Sequence, residues 1–560
     1  MKKVIFFLFA SLLAISCSSD IEDPITPIDD EIEVGEGKQV FRVDLKELSA
    51  KKALSNEKNL EPAFALVSIN DSNGAAILTR EKIALTKKSD SYITNEISLE
   101  VGNYSLVEFI VTDANDVVIS VAPKENSVLA QFSNSPLPFN FQVSENETKE
   151  TAAENINAAG YTSIDFGYTG LTLTFPESTD SFSLTVDETD SITLKNLNLK
   201  SITGSTYLVD WGDEVIEEYV TTIPNSGIDN EISHTYSENG TYTITITGAI
   251  EAIEVFEFNS NQENNWESHI TSVNIEKLTL LKSMGLFTGL LSSLDISKNA
   301  ELEILNIGNH RLTSIDLSNN PNLRIITLSD NELTEVNVSQ NPAIENLFLV
   351  RNQISFLDLS QNGSLSVISA RENNLSDIDF SNNLNLTQFD LSNNAISSID
   401  ISANLALTNI NLGANQLSAI DVSQNTNLVR LDLYTNQINA IDLSTNLKLR
   451  DLYIDGNLLT EIDLSSNPEL ERLIIENNNF TTLNITSNPK IFNLEIGGNQ
   501  FSAMELDQIL SQIYDHAILN STMNGYVDYQ NTPGFGDIDP TTIVKLNELV
   551  TSFNWTLNNN

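Results

Sequence analysis

The residues that could support catalysis are few, and they lie far apart in the sequence. The 560-residue chain has four histidines, His234, His269, His310 and His516, and a single cysteine. None of the histidines belongs to a zinc-binding HExxH pattern, and the chain has no nucleophile elbow and no phosphate-binding glycine loop. Paired carboxylates are common only because the chain is so acidic, so they do not indicate a glycosidase. We therefore expect no enzymatic activity, no cofactor and no metal site.

The single cysteine, Cys17, lies in a context that indicates one specific chemistry. Basic residues precede an apolar run at residues 4–15, which is too short to span a membrane. The sequence LAISC at residues 13–17 resembles the lipobox of bacterial lipoprotein signal peptides, although Ala14 stands where that family usually has leucine. The resemblance implies removal of residues 1–16 and lipidation of the Cys17 thiol, which would anchor the chain to a membrane. The alternative is an ordinary signal peptide with a chance cysteine.

Residues 17–37 are acidic and contain proline, a composition typical of an extended, disordered tether. The acidic stretch directly after the cysteine also resembles the sorting signal that sends some lipoproteins to the outer face of the outer membrane. A plain spacer and a sorting signal both remain open. We expect a protein that is lipid-anchored in the outer membrane and faces the cell surface.

The overall charge excludes one class of partner. Lys and Arg total 29 and Asp and Glu total 77, which gives a formal net charge of −48. Such a chain repels nucleic acid, so no nucleic-acid partner is expected. One cysteine permits no disulfide within the chain, so stability must come from large packed cores.

A pattern of the form L-x-x-L-x-L-x-x-N-x-L returns every 21 residues from Leu302 onward. Its asparagines are Asn331, Asn352, Asn373, Asn394, Asn415, Asn436, Asn457, Asn478 and Asn499, and His310 holds the same position in an earlier repeat. A second asparagine series has the same spacing, namely Asn299, Asn320, Asn341, Asn362, Asn383, Asn404, Asn425, Asn446, Asn467 and Asn488. The pattern resembles the leucine-rich repeat family. The resemblance implies a β-solenoid at residues 301–502, a horseshoe or flattened coil in which neighbouring coils bury each other's apolar faces.

Both ends of such a solenoid need covers. Residues 258–300 contain degenerate repeats and are expected to form the N-terminal cap. After Phe501 the repeat ends, and residues 503–560 contain apolar residues at helical spacing, which predicts a small helical C-terminal cap.

Two β-sandwich domains are predicted upstream, which makes the whole chain mainly β. Residues 38–150 show short strands with turn signals, and no site chemistry is evident there. Residues 161–257 contain VDWGD at 209–213, SHTY at 233–236 and NGTYTITI at 239–246. These segments resemble the PKD family of immunoglobulin-like sandwiches, which implies a spacer or interaction module and a structural role for His234. Glu214 stands where the family usually has glycine.

The repeat pattern also predicts where a ligand would bind. The third, fifth and seventh positions of each repeat should face solvent on the concave side of the solenoid. The predicted binding residues are Phe348, Val350, Arg371, Arg430, Asp432, Tyr434, Asp451, Tyr453, Asp455 and Arg472. Aromatic residues beside arginine are typical of protein interfaces. A solvated face with internally cancelling ion pairs is the alternative.

These features together predict a surface lipoprotein that binds an extracellular or surface protein, for adhesion or recognition, through the concave face. A glycan-binding lipoprotein of a polysaccharide uptake system is the main alternative, because Tyr434 and Tyr453 could stack on sugar rings. An envelope scaffold without a ligand is another. On the opposite face, a column of aspartates that includes Asp295 and Asp316 is expected to shape turns, with cation binding as the alternative.

Overall fold

The computed structural model describes residues 35–46, 60–176, 180–224, 230–260 and 267–558. The predicted signal peptide, Cys17 and the tether up to residue 34 lie outside this range. Among the described residues, no helix has the length and apolar character needed to cross a bilayer. Strands dominate the described chain, so the prediction of a mainly β protein is confirmed.

The first unit is a nine-stranded sheet that closes on itself. Its strands are β1 Glu36–Lys46, β2 Phe64–Asp71, β3 Ala76–Lys88, β4 Ser91–Thr94, β5 Ile97–Glu100, β6 Gly102–Thr112, β7 Val118–Val121, β8 Phe139–Val143 and β9 Thr148–Asn157. The pairing runs β2-β3-β4-β1-β9-β7-β6 and returns to β2, while β5 adds to β1 and β8 adds to β6. The prediction of a two-sheet sandwich at residues 38–150 is therefore wrong. That prediction rested on local hairpin signals. The sheet is closed instead by the parallel β1–β9 pair, which joins the two ends of the unit.

This unit extends beyond residue 150 and packs against the next one. Phe41, Phe109 and Phe141 meet edge to face inside the closed sheet. On its outer side, residues 158–176 add a second core, which also contains Ile202, Ala249 and Ala252 of the following unit. The two units therefore share buried apolar side chains.

The second unit is a true two-sheet sandwich. Its strands are β10 Ser181–Asp187, β11 Lys195–Ser201, β12 Thr206–Asp210, β13 Ile216–Val220, β14 Ile232–His234, β15 Thr241–Thr247, β16 Ile253–Asn259 and β17 Ile270–Asn274. One sheet has the order β13-β12-β15-β10-β17, and the other begins β14-β11-β16. The predicted bounds of 161–257 need correction, since the sandwich starts at Ser181 and includes β17, which pairs with β10.

The segments at residues 209–213 and 233–236 contact each other in this sandwich. His234 stacks on the buried Trp211 ring at 4.8 Å and its Nε2 lies 2.8 Å from an Asp213 carboxylate oxygen. The Trp211 indole N–H donates to Glu217 at 2.8 Å. Glu214 keeps the tight turn by adopting a left-handed φ of 72°. These contacts give His234 the structural role predicted for it.

The sandwich and the solenoid share one sheet. Strand β18, Ser283–Leu286, pairs in parallel with β16, and from there the ladder continues without a break, so that one sheet contains 16 strands. The predicted N-terminal cap at 258–300 is therefore divided: β17 belongs to the sandwich, and β18 is the first strand of the ladder. The sandwich itself covers the N-terminal end of the repeats.

The repeats form a regular parallel ladder of three-residue strands. They are β19 Ile304–Asn306, β20 Ile325–Thr327, β21 Asn346–Phe348, β22 Val367–Ser369, β23 Gln388–Asp390, β24 Asn409–Asn411, β25 Arg430–Asp432, β26 Asp451–Tyr453, β27 Arg472–Ile474 and β28 Asn493–Glu495. Each strand pairs in register with the strand 21 residues later. The central residue of each strand is buried, and no helix occurs between these strands. The predicted leucine-rich solenoid is thus present.

The C-terminal segment adds two further coils. Helix α1, Ala503–Asn520, is followed by β29, Tyr526–Asp528, and helix α2, Pro540–Phe553, is followed by β30, Thr556–Asn558. Both strands extend the parallel ladder. The predicted helices are present, but the cap is not purely helical, because each helix leads into another ladder strand.

Candidate ligand-binding face

Each coil is closed beside the concave strand by its repeat asparagine. Asn331 donates from Nδ2 to the Ile307 carbonyl at 2.8 Å and accepts at Oδ1 from the Leu312 N–H at 3.0 Å. These partners belong to the preceding coil, so the side chain joins two coils. Its neighbours in the series repeat the arrangement every 21 residues. The asparagines thereby fix the spacing and orientation of the strands that form the concave face.

His310 replaces asparagine in the first of these positions. It accepts from the Leu291 N–H at 3.3 Å and its Nε2 donates to the Leu286 carbonyl at 3.1 Å. One neutral imidazole tautomer therefore supplies the same acceptor and donor as an asparagine side chain. Burial lowers the pKa of His310 to about 4, so the neutral form persists through ordinary pH.

The residue before each repeat asparagine adopts left-handed backbone geometry. The series comprises Asn309, Asp330, Arg351, Glu372, Asn393, Ala414, Thr435, Gly456, Asn477 and Gly498, with φ between 52° and 66°. Asparagine and glycine tolerate this region, whereas the β-branched Thr435 is strained there. The turn that ends every concave strand thus has one shape, whatever residue occupies it.

The opposite face is shaped by aspartate turns. The Ser297 N–H donates to an Asp295 carboxylate oxygen at 2.9 Å, and Ser318 does the same to Asp316. These hydrogen bonds lower the pKa of both carboxyl groups, as they do along the column. The predicted turn chemistry is observed. Within the described ranges, no group of three or more His, Cys, Asp or Glu side chains is placed to hold a metal ion.

The structure brings seven of the ten predicted binding residues together and separates the other three. Strands β25, β26 and β27 and the positions just after them carry what we term the aromatic–arginine patch: Arg430, Asp432, Tyr434, Asp451, Tyr453, Asp455 and Arg472. Phe348 and Val350 lie on the coil of β21, and Arg371 follows β22. Four ladder steps of about 4.8 Å separate β21 from β25, so Phe348 belongs to a different part of the face.

Both arginines of the patch are held in place by carboxylates and aromatic rings. Arg430 donates from Nε and Nη2 to the two carboxylate oxygens of Asp432, at 3.0 and 2.8 Å, and its guanidinium lies 4.7 Å from the Tyr453 ring centroid. Arg472 donates to Asp451 at 2.8 Å and lies 5.0 Å from the Phe492 ring. Internal ion pairs, the predicted alternative, are therefore present. They fix the two guanidinium groups on the face.

At the C-terminal side of the patch, Asp455 and the adjoining Glu476 form no ion pair among the described residues. Burial, together with the charges of Asp528, Glu495 and Asp455, raises the pKa of Glu476 to about 7. Burial also raises the pKa of Asp455. No described lysine or arginine forms an ion pair with Glu476. Sequence reasoning selected neither Glu476 nor Asp528. Glu476 does not stand out because carboxylates occur throughout the chain, and Asp528 lies beyond the last regular repeat.

A shallow depression lies on the N-terminal side of the patch. It has a volume of about 320 Å³, and its floor includes Gln388, Asp390, Asn409, Asn411, Arg430 and Asp432. The lining also includes Val367, Ile368, Phe389 and Ile410, and apolar atoms form the larger part of its exposed area. Of these polar residues, the sequence analysis predicted only Arg430 and Asp432. Gln388, Asp390, Asn409 and Asn411 occupy the third and fifth repeat positions, which marked them as solvent-facing, but they were not selected because they are neither aromatic nor cationic.

Comparison with known proteins places leucine-rich repeat proteins among the structural neighbours. No protein-family model and no curated protein matches the chain. An internalin of Listeria monocytogenes is 21% identical over 50% of this chain and 84% of its own, with a TM-score of 0.45. A leucine-rich repeat protein of Leptospira interrogans is 23% identical over 51% and 74%, with a TM-score of 0.44. YopM of Yersinia enterocolitica is 26% identical over 40% and 53%, with a TM-score of 0.34.

Proposed function

We propose that this chain is a non-catalytic recognition protein that binds a protein partner through the concave face of its repeats. The observation that carries the proposal is the aromatic–arginine patch. It presents Tyr453 on the strand between those of Arg430 and Arg472, and Tyr434 just after the strand of Arg430, on a continuous sheet. Tyrosine and arginine are the residue types that supply most binding energy in protein interfaces.

The patch is pre-organised, which favours affinity. Arg430 is already held by Asp432, and Tyr434 covers Gly413, at which even a Cβ atom would collide with the tyrosine ring. A partner that docks here orders few additional side chains, so little conformational entropy is lost on binding.

The surrounding charge indicates what the partner contributes. Asp455 of the patch and the adjoining Glu476 form no ion pair with any described lysine or arginine, and burial together with like charges raises the pKa of Glu476. A cationic side chain of a partner would relieve this repulsion. Association should therefore be faster at low salt and weaker at high salt.

The location of the protein is a proposal from sequence. Cys17 and its lipobox-like context support lipid anchoring, and the acidic stretch after it supports display at the outer surface of the outer membrane. A concave face presented there would serve adhesion or recognition.

Binding through the patch is tested with the full-length lipoprotein, purified in detergent and immobilised, against a biotinylated extract of extracellular and surface proteins. We expect the double variant Tyr434→Ala/Tyr453→Ala to lose captured proteins that the wild type retains, by tenfold or more. Phe356→Ala is the matched control, since Phe356 is 71% exposed but lies away from the concave strands. Equal capture by all three forms would exclude the patch as the binding site.

The amide side chains in the shallow depression favour glycan binding as a second candidate function. Gln388, Asn409 and Asn411 offer amide donors and acceptors that suit sugar hydroxyl groups, and Tyr453 lies one strand beyond Arg430 at its border. Retardation of the protein in gels that contain soluble polysaccharides, lost in Asn409→Ala and Asn411→Ala, would support this function. Absence of both protein and glycan binding would favour an envelope scaffold.

A further inference from the structure

A fully buried charged cluster lies in the sandwich unit, away from the concave face. Glu188 and Lys195 both have side chains with 0% exposure, and Lys195 Nζ lies 2.5 Å from Glu188 Oε1. The His269 Nδ1 atom lies 2.8 Å from the same oxygen. The Thr193 N–H donates to Glu188 Oε2 at 2.7 Å, and the Thr193 hydroxyl contacts Lys195 Nζ.

Burial of this ion pair is unfavourable in free energy. Removing an ammonium and a carboxylate from water costs free energy that their attraction recovers only in part. Burial lowers the pKa of Lys195, which favours the neutral amine. Proton transfer from Nζ to the carboxylate leaves a neutral amine in contact with a neutral carboxylic acid, which are the two reactants of amide formation.

We propose that Glu188 and Lys195 become joined by an intramolecular amide bond once the sandwich has folded. The Lys195 nitrogen attacks Cδ of Glu188, so that an N–C bond forms and the Cδ–Oε1 bond breaks. Oε1 leaves as water, with the hydrogen of the carboxylic acid and one hydrogen from the nitrogen. No electrons are exchanged with another molecule, and no co-reactant is needed.

The neighbouring groups are arranged for each part of this reaction. His269 contacts Oε1, the leaving oxygen, and can deliver a proton to it, and the proton that the nitrogen loses can return to His269 through Oε1, which contacts both groups. The Thr193 N–H contacts Oε2, where negative charge develops in the tetrahedral intermediate and which becomes the amide oxygen. The Thr193 hydroxyl contacts Nζ and orients it. His269 is itself positioned by Glu267, whose carboxylate lies 3.0 Å from Nε2.

The amide bond would hold the connection between β10 and β11 in a fixed conformation. Glu188 directly follows β10, Lys195 begins β11, and the Glu188 N–H donates to the Gly240 carbonyl. Strand β11 pairs with β16, the strand to which the repeat ladder attaches. The chain has only one cysteine, so an amide is a covalent fastening that it can form without a disulfide.

Peptide mass mapping of the full-length protein tests the proposal directly. The protein is purified in its native state, unfolded in urea and digested with trypsin, which does not cut after an acylated lysine. We expect a peptide that runs from Glu150 to Lys200 with no cleavage after Lys195 and with the mass of one water missing. Fragmentation should yield no ions from breaks between Glu188 and Lys195. A linear synthetic peptide of the same sequence supplies the reference, and cleavage after Lys200 shows that digestion is complete.

Cleavage after Lys195 with an unmodified mass would overturn the proposal, whatever the variants do. His269→Asn tests the proton-transfer role in the same digest. We expect a lower cross-linked fraction in freshly folded protein, while complete cross-linking in this variant would exclude that role for His269. Thermal unfolding verifies that the variant is folded before it is digested.

Discussion

The guanidinium of Arg430 lies 4.7 Å from the ring centroid of Tyr453, which stands on the next strand of the ladder. The parallel pairing makes this contact possible, because it places Tyr453 beside Asp432, two residues along the strand from Arg430, on a neighbouring strand about 4.8 Å away. Two nitrogens of the same arginine donate hydrogen bonds to the Asp432 carboxylate. The face is therefore organised across coils as well as within each coil.

Replacing Arg430 by lysine should destabilise the protein. Lysine cannot form the forked pair with Asp432, which is only 4% exposed, so a buried carboxylate would lose part of its hydrogen bonding. We expect a loss of about 1–2 kcal/mol in the free energy of unfolding, measured by urea denaturation. Arg450→Lys is the control, because the Arg450–Glu471 pair is more exposed and should contribute little. Equal effects of both variants would contradict this prediction.

Glu476 should make the protein less stable as pH rises. Its folded-state pKa of about 7 lies above the ordinary value of 4.5, so the folded chain holds an extra proton between these values and stability falls across that window. We expect Glu476→Gln to raise the free energy of unfolding by about 1–2 kcal/mol at pH 8 and to leave it unchanged at pH 4. A benefit of equal size at both pH values would show that charge is not the cause. The exposed Glu332→Gln serves as the control.

His310 should make the protein less stable as the pH falls, which is opposite to the effect of Glu476. Its folded-state pKa of about 4 lies below the ordinary 6.5, so the unfolded chain takes up the proton first, and stability is lost as pH falls from 6.5 towards 4. His310→Asn restores the residue found in the other coils and removes the titrating group. We expect the dependence of the free energy of unfolding on pH to become flatter in this window by about 2–3 kcal/mol. An unchanged pH profile of the variant would refute the assignment.

Thr435 should be replaceable with a gain in stability. Its φ of 52° is strained for a β-branched residue, whereas the equivalent positions in other coils hold Asn309, Asn393 and Asn477. We expect Thr435→Asn to raise the free energy of unfolding by about 1 kcal/mol, measured by urea denaturation. Thr460→Asn, at an exposed site without left-handed geometry, should bring no gain. A gain at both positions would point to the side chain and not to the backbone.

Surface display at the outer membrane is checked in intact cells that express the natural protein. If Cys17 carries lipid, Cys17→Ser should abolish incorporation of labelled fatty acid and release the protein from membranes. External protease should remove the repeat region from intact wild-type cells. Protection of the repeats until the cells are broken would place the concave face in the periplasm and remove the adhesion proposal.

The repeats were predictable because their information is local and periodic. Each coil repeats the same buried leucines and the same asparagine, so the resemblance to leucine-rich repeats could be applied position by position, and it placed Tyr434 and Tyr453 on one face. The ring closure by β1 and β9 and the junction of β16 with β18 were not predictable, since they depend on pairings between segments that carry no complementary sequence signal.

The chemistry within the face was only partly predictable. Residue types identified Arg430 and Tyr453. They did not show that Asp432 would be buried beside the arginine, or that burial and three other carboxylates would raise the pKa of Glu476. Such effects depend on distances across neighbouring coils and on burial. The ladder strand β29, which supplies Asp528, follows a helix and has no repeat consensus.

The junction of β16 with β18 makes the two ends of the solenoid differ in how they are expected to unfold. One end of the ladder has no open edge, because its first strand is hydrogen-bonded to a folded sandwich. We therefore expect the coils towards β30 to unfold before those next to the sandwich. Loss of the last coils would leave the earlier ones still fastened, so damage at the C-terminus is contained while the concave surface nearer the sandwich keeps its shape.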